Sequence, residues 1–180
     1  MGGRFIAIVG PSGVGKDSVM RALSKLDNRF VLARRVITRP SDAGGEAFDG
    51  ISEGGFSARQ ANGDFALSWP AHGLRYGIPS TVDTQLAQGR DVLANLSRAV
   101  LKQARDRFDR FEVIFLIANQ SALAARLQAR GRESEAEITR RLQRANFEIP
   151  KEIDAKSVDN SGPIEQTVAA IAAHLHPVKA

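Results

Sequence analysis

The sequence predicts an α/β fold in which a parallel sheet is covered by helices. Short apolar runs of strand length alternate along the chain with segments whose apolar residues recur at the spacing of a helix. The first such pair is the run Phe5–Val9, followed by a glycine-rich turn and the amphipathic segment Lys16–Leu26. Strands that alternate with helices form a parallel sheet, because each helix carries the chain back across one face. With 43% hydrophobic residues, residues 1–180 suit a single domain.

The remaining elements follow from the same periodicities. Strands are predicted at residues 31–38, 64–69, 74–78, 91–96, 112–118 and 157–160. Residues 64–69 and 74–78 flank a Pro-Ala-His-Gly turn and are expected to pair, and the very apolar 112–118 is expected to be central. Helices are predicted at 80–88, closed by Gly89, at 97–108, at 121–130, capped by Ser121, at 135–148 and at Ile164–Leu175. Residues 40–55, rich in Gly, Ser and Asp, predict a loop.

Composition excludes several kinds of chemistry. The chain has no cysteine, which removes disulfides, cysteine-bound zinc, iron–sulfur clusters and thiol catalysis. Its three histidines are His72, His174 and His176, and the last two are expected to be exposed, so a histidine metal cage is not expected. No apolar run is long enough to span a membrane or to serve as a signal peptide, so a cytoplasmic protein is expected. The net charge is +5, with 19 Arg and 6 Lys, and the paired donors of arginine favour phosphate handling.

The strongest motif is a phosphate loop at residues 10–18. It follows a predicted strand and opens a predicted helix, which is the context of a P-loop NTPase-type fold. Glycines let backbone N–H groups point at a phosphate chain, the helix N-terminus adds a positive field, and the lysine reaches the oxygens between the leaving and transferred phosphates. The motif predicts a binding site for the phosphate chain of a nucleotide. Its residues are Gly10, Pro11, Ser12, Gly13, Val14, Gly15, Lys16, Asp17 and Ser18.

One position of this loop departs from the usual motif. Asp17 stands where a serine or threonine hydroxyl normally binds Mg²⁺, and a carboxylate is an equally hard ligand. The strand that would usually end in a second magnesium carboxylate instead ends in Asn95 and Ser97, with Asp91 at its far end. We therefore expect Asp17 to supply the carboxylate that this strand lacks. The alternative is that Asp17 only stabilises the first turn of its helix.

Residues 126–148 predict an arginine-rich lid. Six arginines lie on two helical arms that flank the break at Gly131. Mobile arginines can stabilise the charge that spreads over the phosphate oxygens during transfer. Arg130 and Arg141 are the expected catalytic arginines, with Arg126 and Arg132 in reserve. The alternative is a solvated helix pair with ion pairs such as Glu137 with Arg141.

These motifs resemble the guanylate kinase-like branch of the nucleoside monophosphate kinases over nearly the whole chain. The resemblance rests on residues 10–18, Thr38-Arg39-Pro40, Gly45-Glu46, Tyr76-Gly77 and the Arg-Gly segment of the lid. It implies a small acceptor-binding region at about residues 36–90. The guanine-reading groups of true guanylate kinases are replaced, among them by Arg35, Ser68 and Ile78. A base whose donors lose their acceptors is rejected strongly.

Other stretches resemble the family of ribose 1,5-bisphosphate phosphokinases more specifically. They are Gly-Lys-Asp-Ser in the loop, Leu-Ser-Trp ending at Trp69, and Asn-Leu-Ser-Arg at residues 95–98. That family transfers the γ-phosphoryl of ATP to the 1-phosphate of ribose 1,5-bisphosphate, giving 5-phosphoribosyl 1-diphosphate in phosphonate breakdown. The resemblance implies the same substrates here. The expected substrate-binding residues are Arg35, Thr38, Arg39, Tyr76, Asn95 and Arg98.

Three other interpretations stay open at this point. The first is a guanylate kinase or another nucleoside monophosphate kinase. The second is a catalytically silent interaction module of the same fold, which would usually lack the phosphate loop. The third is a nucleic-acid-binding protein, suggested by a pI of about 10.1 but lacking the expected aromatic and basic pattern. We expect no nucleic acid and no membrane partner, and the sequence leaves the oligomeric state open, a homodimer included.

Overall fold

Two sheets organise the chain. The computed structural model describes residues 2–40, 47–129 and 148–177. Its strands are β1 (Phe5–Val9), β2 (Phe30–Leu32), β3 (Arg35–Ile37), β4 (Phe48–Gly50), β5 (Phe65–Ala71), β6 (Leu74–Pro79), β7 (Asp91–Asn95), β8 (Phe111–Ile117) and β9 (Lys156–Asp159). The main sheet has the order β2-β7-β1-β8-β9, and all its strand pairs are parallel. The predicted parallel sheet is confirmed, with β1 in the middle and β8 beside it.

Six α-helices lie in the described ranges. They are α1 (Lys16–Leu26), α2 (Glu53–Ala61), α3 (Thr81–Ala87), α4 (Leu101–Arg107), α5 (Gln120–Ala129) and α6 (Ile164–Leu175), and a 3₁₀ turn, Arg98–Val100, precedes α4. The period of two in β1 divides the core between the faces of the sheet. Phe5 packs with Phe108 and the α3–α4 side, whereas Ile6 packs with Leu23 and Ile171 on the α1–α6 side. Helices therefore cover both faces, as predicted.

The second sheet carries the region predicted to bind the acceptor. Its order is β4-β3-β6-β5, and β5 and β6 form the expected antiparallel hairpin. The prediction of one strand over residues 31–38 is wrong, because the chain leaves the main sheet after Ala33, whose N–H donates to Leu93 at 2.8 Å, and enters the second sheet at Arg35. An alternating pattern cannot reveal such a change of sheet.

The sequence predicted residues 40–55 as a loop, but the structure shows regular elements there. The described part contains β4 and the start of α2. The Ser52 hydroxyl caps this helix by accepting the N–H of Gly55 at 3.1 Å. Phe56 is 1% exposed and stacks on Phe65 with ring centroids 4.6 Å apart. Burial of this ring and the cap outweigh the low helix propensity of two neighbouring glycines.

The cap of α5 also differs from the prediction. The side chain of Asn119, not that of Ser121, accepts the backbone N–H of Ala122 at 2.8 Å. The Ser121 hydroxyl donates to the same Asn119 oxygen. The cap is therefore one residue before the helix, where an asparagine side chain reaches the first free N–H groups.

A buried ion pair closes the amino edge of the main sheet. Arg4 Nη2 donates to Asp91 Oδ2 at 2.6 Å, and the two side chains are 12% and 6% exposed. Burial opposes ionisation of Asp91, but the hydrogen bonds from Arg4 outweigh it and hold the pKa of this carboxyl below its ordinary value. His176 lies 3.0 Å from Asp91, and burial together with Arg29 and Arg4 lowers its pKa. The expectation that His176 is exposed is therefore wrong, since its side chain is only 23% exposed.

We expect the Asp91→Asn variant to be markedly less stable than the parent. The substitution removes the carboxylate charge 2.6 Å from Arg4 and leaves Glu112, at 3.0 Å, as the remaining acidic partner, which should lower the free energy of unfolding by about 2 kcal/mol. Urea denaturation measures this directly. The matched control is Asp106→Asn, which removes an exposed pair with Arg105 and should change stability by about 0.5 kcal/mol or less. Equal losses in the two variants would contradict the structural role of the Arg4–Asp91 pair.

Candidate active site

The phosphate loop joins β1 to α1 at the carboxyl edge of the main sheet. Open parallel sheets bind ligands at this edge. The loop takes its shape from backbone conformations with positive φ at Gly10, Gly13 and Gly15. A Cβ at Gly10 would lie 2.5 Å from the carbonyl oxygen of Leu116, so no other residue fits there. The loop therefore passes close over β8 before it turns into the helix.

Lys16 folds back over the phosphate loop. Its Nζ donates to the carbonyl oxygens of Gly10 at 2.9 Å and Pro11 at 3.1 Å. The side chain is half-buried. Its ammonium group therefore lies over the loop that the sequence predicts to bind phosphate. Lys16 thus stands where the sequence predicts the donor phosphates.

Asp17 and Asn95 meet at the same edge. Asn95 ends β7, is 8% exposed, and its Nδ2 donates to Asp17 Oδ1 at 3.1 Å. Asp91 begins β7 and therefore lies at the amino edge of the sheet, away from the loop. The position that usually carries a strand-end carboxylate therefore holds an amide that orients the carboxylate of α1.

A cationic and aromatic wall adjoins this pair. Arg35 Nη1 donates to the carbonyl oxygen of Asn95 at 3.1 Å, and its guanidinium carbon lies 5.4 Å from the ring centroid of Tyr76. Tyr76 stacks in turn on Trp69, with centroids 5.5 Å apart. Asp17, Arg35 and Asn95 line one cavity of about 230 Å³. The fold thus brings four predicted site residues together, counting Tyr76.

Thr38 and Arg39 lie by a second cavity, of about 400 Å³, between the end of β3 and the start of α2. The guanidinium of Arg39 lies 4.3 Å from the ring centroid of Phe48. The Thr38 hydroxyl accepts the backbone N–H of Arg75 at 2.9 Å, so this side chain extends the pairing of β3 with β6. The cavity adjoins the second sheet, in the region that the sequence predicts to bind the acceptor.

The other arginines predicted for the site are the substrate-binding Arg98 and those of the lid, and they do not lie together. Arg98 is exposed in the 3₁₀ turn, three residues after Asn95. Arg126 donates to the carbonyl oxygens of Val14 at 3.3 Å and Asn160 at 2.6 Å, so it lies against the outside of the phosphate loop. Its guanidinium thus supports the loop. Arg130, Arg132 and Arg141, with most of the predicted lid, and Gly45 and Glu46 lie outside the described residues.

Asn160 contacts the loop and Thr167 contacts Asn160, although the sequence did not suggest either residue. Asn160 follows β9 and is 3% exposed, and its Nδ2 donates to Val14 at 2.7 Å. Thr167 on α6 is 2% exposed and bonds to Asn160. The available signal was a polar residue at the end of a predicted parallel strand, the same signal that identified Asn95.

Two kinds of feature are not found in the described ranges. Those ranges hold no group of three or more His, Asp or Glu side chains that could bind a metal ion by themselves. None of the helices described has both the length and the apolar character to cross a membrane.

Comparison with known proteins identifies the family. Residues 6–144 match the family model described as AAA domain. The chain is 50% identical to the ribose 1,5-bisphosphate phosphokinase PhnN of Ruegeria sp. (strain TM1040) over 92% of this chain and 88% of the relative. It is 47% identical to the protein of the same name from Agrobacterium fabrum, over 89% of this chain and 90% of that one.

Solved structures show the same fold. The guanylate kinase of Anaplasma phagocytophilum superimposes with a TM-score of 0.67 over 97% of this chain and 85% of its own, at 20% identity. That likeness confirms the guanylate kinase-like phosphate-loop architecture. With half of its residues identical to a curated relative over almost its full length, the chain belongs to the ribose 1,5-bisphosphate phosphokinase family.

Proposed function

We propose that this protein transfers the terminal phosphoryl group of ATP to the 1-phosphate of ribose 1,5-bisphosphate. An oxygen of the 1-phosphate attacks the γ-phosphorus, a new P–O bond forms, and the bond to the β-phosphate oxygen breaks. The products are 5-phospho-α-D-ribose 1-diphosphate and ADP, and we place the reaction in phosphonate catabolism. The observation that carries the proposal is the 50% identity to a relative named for this activity.

The geometry of the acceptor side supports a phosphorylated sugar over a nucleobase. Where a base would need hydrogen-bond partners, Arg35 lies between the backbone of Asn95 and the ring of Tyr76. Guanidinium groups bind phosphate oxygens in pairs. We assign Arg39 to one acceptor phosphate and Arg35, with Arg98, to the other. Tyr76 and Asn95 are then placed to bind ribose or phosphate oxygens.

The attacking group needs no general base. The second pKa of a phosphate monoester is near 6, so the 1-phosphate is already ionised at neutral pH. The barrier comes instead from bringing two polyanions together. Two unit charges about 4 Å apart interact by roughly 4 kcal/mol at an effective dielectric constant of 20. Lys16 and the arginines of the acceptor side supply the opposite charge.

The residues around Asp17 fit a magnesium ion. Mg²⁺ usually takes one or two carboxylates together with water and substrate phosphates, so a single oriented carboxylate beside a phosphate loop is a suitable donor set. Asp17, with the Ser18 hydroxyl beside it, would hold the ion. When bound, Mg²⁺ neutralises charge on the β- and γ-phosphate oxygens. Asn95 fixes the direction of the Asp17 carboxylate through its 3.1 Å hydrogen bond.

We further propose that the protein acts in the cytoplasm on small molecules and without nucleic acid. Several of its arginines form ion pairs within the chain, which leaves less positive charge for a polyanionic surface ligand. Such ion pairs join Arg4 to Asp91, Arg34 to Asp49, Arg59 to Asp64 and Arg107 to Asp83.

With ATP and Mg²⁺ supplied, we expect the protein to convert ribose 1,5-bisphosphate and to leave GMP unchanged. Phosphorus NMR separates the two outcomes, since the diphosphate signals of 5-phosphoribosyl 1-diphosphate differ from those of GDP. Formation of GDP alone would overturn the proposal in favour of a guanylate kinase.

The Lys16→Met variant should lose about 100-fold or more in kcat, because it removes a hydrogen-bond donor from the phosphate that is transferred. Lys25→Met, on the exposed end of the same helix, is the matched control.

Asp17→Asn is expected to raise the Mg²⁺ concentration for half-maximal turnover about tenfold or more. The amide is nearly the same size as the carboxylate but lacks the charge that binds the cation. Mn²⁺ binding to the enzyme–ADP complex, followed by electron paramagnetic resonance, should weaken in parallel. Asp27→Asn, at the other end of α1, should change neither measurement. Unaltered metal dependence in Asp17→Asn would leave Asp17 with a helix-stabilising role only.

Replacement of Arg35 by alanine should weaken acceptor binding and leave donor binding intact. Loss of one charged hydrogen-bonding group should raise the KM for ribose 1,5-bisphosphate about 10- to 100-fold, with the KM for ATP unchanged. Initial-rate kinetics with each substrate varied in turn give both constants. Arg29→Ala, which removes an exposed arginine paired with Asp27, serves as the control. If both substrates were affected equally, Arg35 would not be an acceptor residue.

A further inference from the structure

A buried asparagine holds one peptide group of the phosphate loop in a fixed orientation. Asn160 Nδ2 donates to the carbonyl oxygen of Val14 at 2.7 Å. Its Oδ1 lies 2.8 Å from the hydroxyl of Thr167, which also lies 3.1 Å from the carbonyl oxygen of Asp159. Because the Val14 oxygen can only accept, the amide of Asn160 must donate to it, and the Asn160 Oδ1 shares the single hydroxyl proton of Thr167 with the carbonyl oxygen of Asp159. The orientation of the amide is thus determined by its two partners.

The main chain of Asn160 is held as firmly as its side chain. Its N–H donates to the carbonyl oxygen of Ile117 at 2.8 Å, which continues the pairing of β9 with β8. Its carbonyl oxygen accepts from Arg126 Nη2 at 2.6 Å. The asparagine is only 3% exposed, so water does not compete for these bonds. The group that contacts the loop is therefore rigid before any ligand binds.

The direction of this hydrogen bond bears on the anion site. In a trans peptide the C=O and N–H groups point in opposite directions. When Asn160 holds the Val14 oxygen on the outside of the loop, the N–H of Gly15 points inward. Gly15 has φ of 98°, and a Cβ there would lie 2.8 Å from Asn160 Nδ2. The asparagine occupies the space that any other residue at position 15 would need.

We infer that Asn160 is a positioning residue of the donor site, which aims the Gly15 N–H at a phosphate of ATP by binding the Val14 carbonyl from behind. This inference rests on the proposed binding of ATP by the phosphate loop. Thr167 keeps the Asn160 amide in the donating orientation. Arg126 is a second, longer donor to the same Val14 oxygen, at 3.3 Å. Loss of the Asn160 amide should therefore weaken ATP binding by the loop without abolishing the shape of the loop.

Three variants separate ATP binding from protein stability. Asn160→Ala removes the amide that donates to Val14. Thr167→Val removes the hydroxyl but keeps the shape of the side chain, and Thr167→Ser keeps the hydroxyl. We expect the Kd of ATP, measured by calorimetry without acceptor, to rise about tenfold in Asn160→Ala and about threefold in Thr167→Val. Thr167→Ser should bind ATP as the parent does. Thr84→Val, an exposed threonine on α3, is the matched control.

A second measurement detects the peptide orientation itself. The amide resonance of Gly15 in the ATP complex should move in Asn160→Ala and Thr167→Val and return to the parent position in Thr167→Ser. If Asn160→Ala fails to fold, the two Thr167 variants carry the test. Variants that lower the melting temperature but bind ATP as tightly as the parent would overturn the inference, since Asn160 would then only be structural. Failure of the parent to phosphorylate ribose 1,5-bisphosphate while it still binds ATP would instead overturn the proposed function.

Discussion

The phosphate loop depends on one constraint: its carbonyl oxygens must point away from the anion. A backbone carbonyl that faced a phosphate would repel it, whereas an N–H group attracts it. In this chain the carbonyl oxygen of Val14 accepts from Asn160 at 2.7 Å and from Arg126 at 3.3 Å. These donors come from the end of β9 and from α5. The anion site is therefore a property of the assembled sheet as well as of the loop sequence.

The same reasoning extends to the acceptor side, where a second anion must approach the first. Asn95 links the two halves, because its side chain binds Asp17 and its carbonyl oxygen accepts from Arg35. The carboxylate proposed to bind Mg²⁺ and the guanidinium proposed to bind the acceptor thus stand on either side of one strand end. With Mg²⁺ on the carboxylate, each of the two reacting phosphates would have a positive charge beside it.

Local patterns predicted much of this molecule. The helices α1 and α6 have the bounds that their periodicity indicated, and the hairpin β5–β6 follows from two strand-like runs around a turn. The neighbouring positions of Asp17 and Asn95 followed from the rule that parallel strands end at one edge of the sheet. These features depend on residues close in sequence or on a general rule of topology.

The features that the sequence did not predict depend on distant partners. Residues 31–38 change from one sheet to another because β3 pairs with β4 and β6, and no alternation in the sequence marks that change. Helix α2 is stabilised by the packing of Phe56 on Phe65, which is distant from the local pattern of the helix. Arg126, which the sequence predicts only as a reserve arginine of the lid, contacts the loop because β9 lies beside β8 and brings Asn160 within its reach.

A crystal structure with a non-hydrolysable ATP analogue, Mg²⁺ and ribose 1,5-bisphosphate tests the central claim most directly. The account predicts that Lys16 Nζ leaves the carbonyl oxygens of Gly10 and Pro11 for the β- and γ-phosphates, while Val14 stays bound to Asn160. It also predicts a Mg²⁺–oxygen distance to Asp17 of about 2.1 Å and the acceptor phosphates at Arg35 and Arg39. Lys16 still on the loop carbonyls, or the sugar phosphate bound elsewhere, would contradict the account.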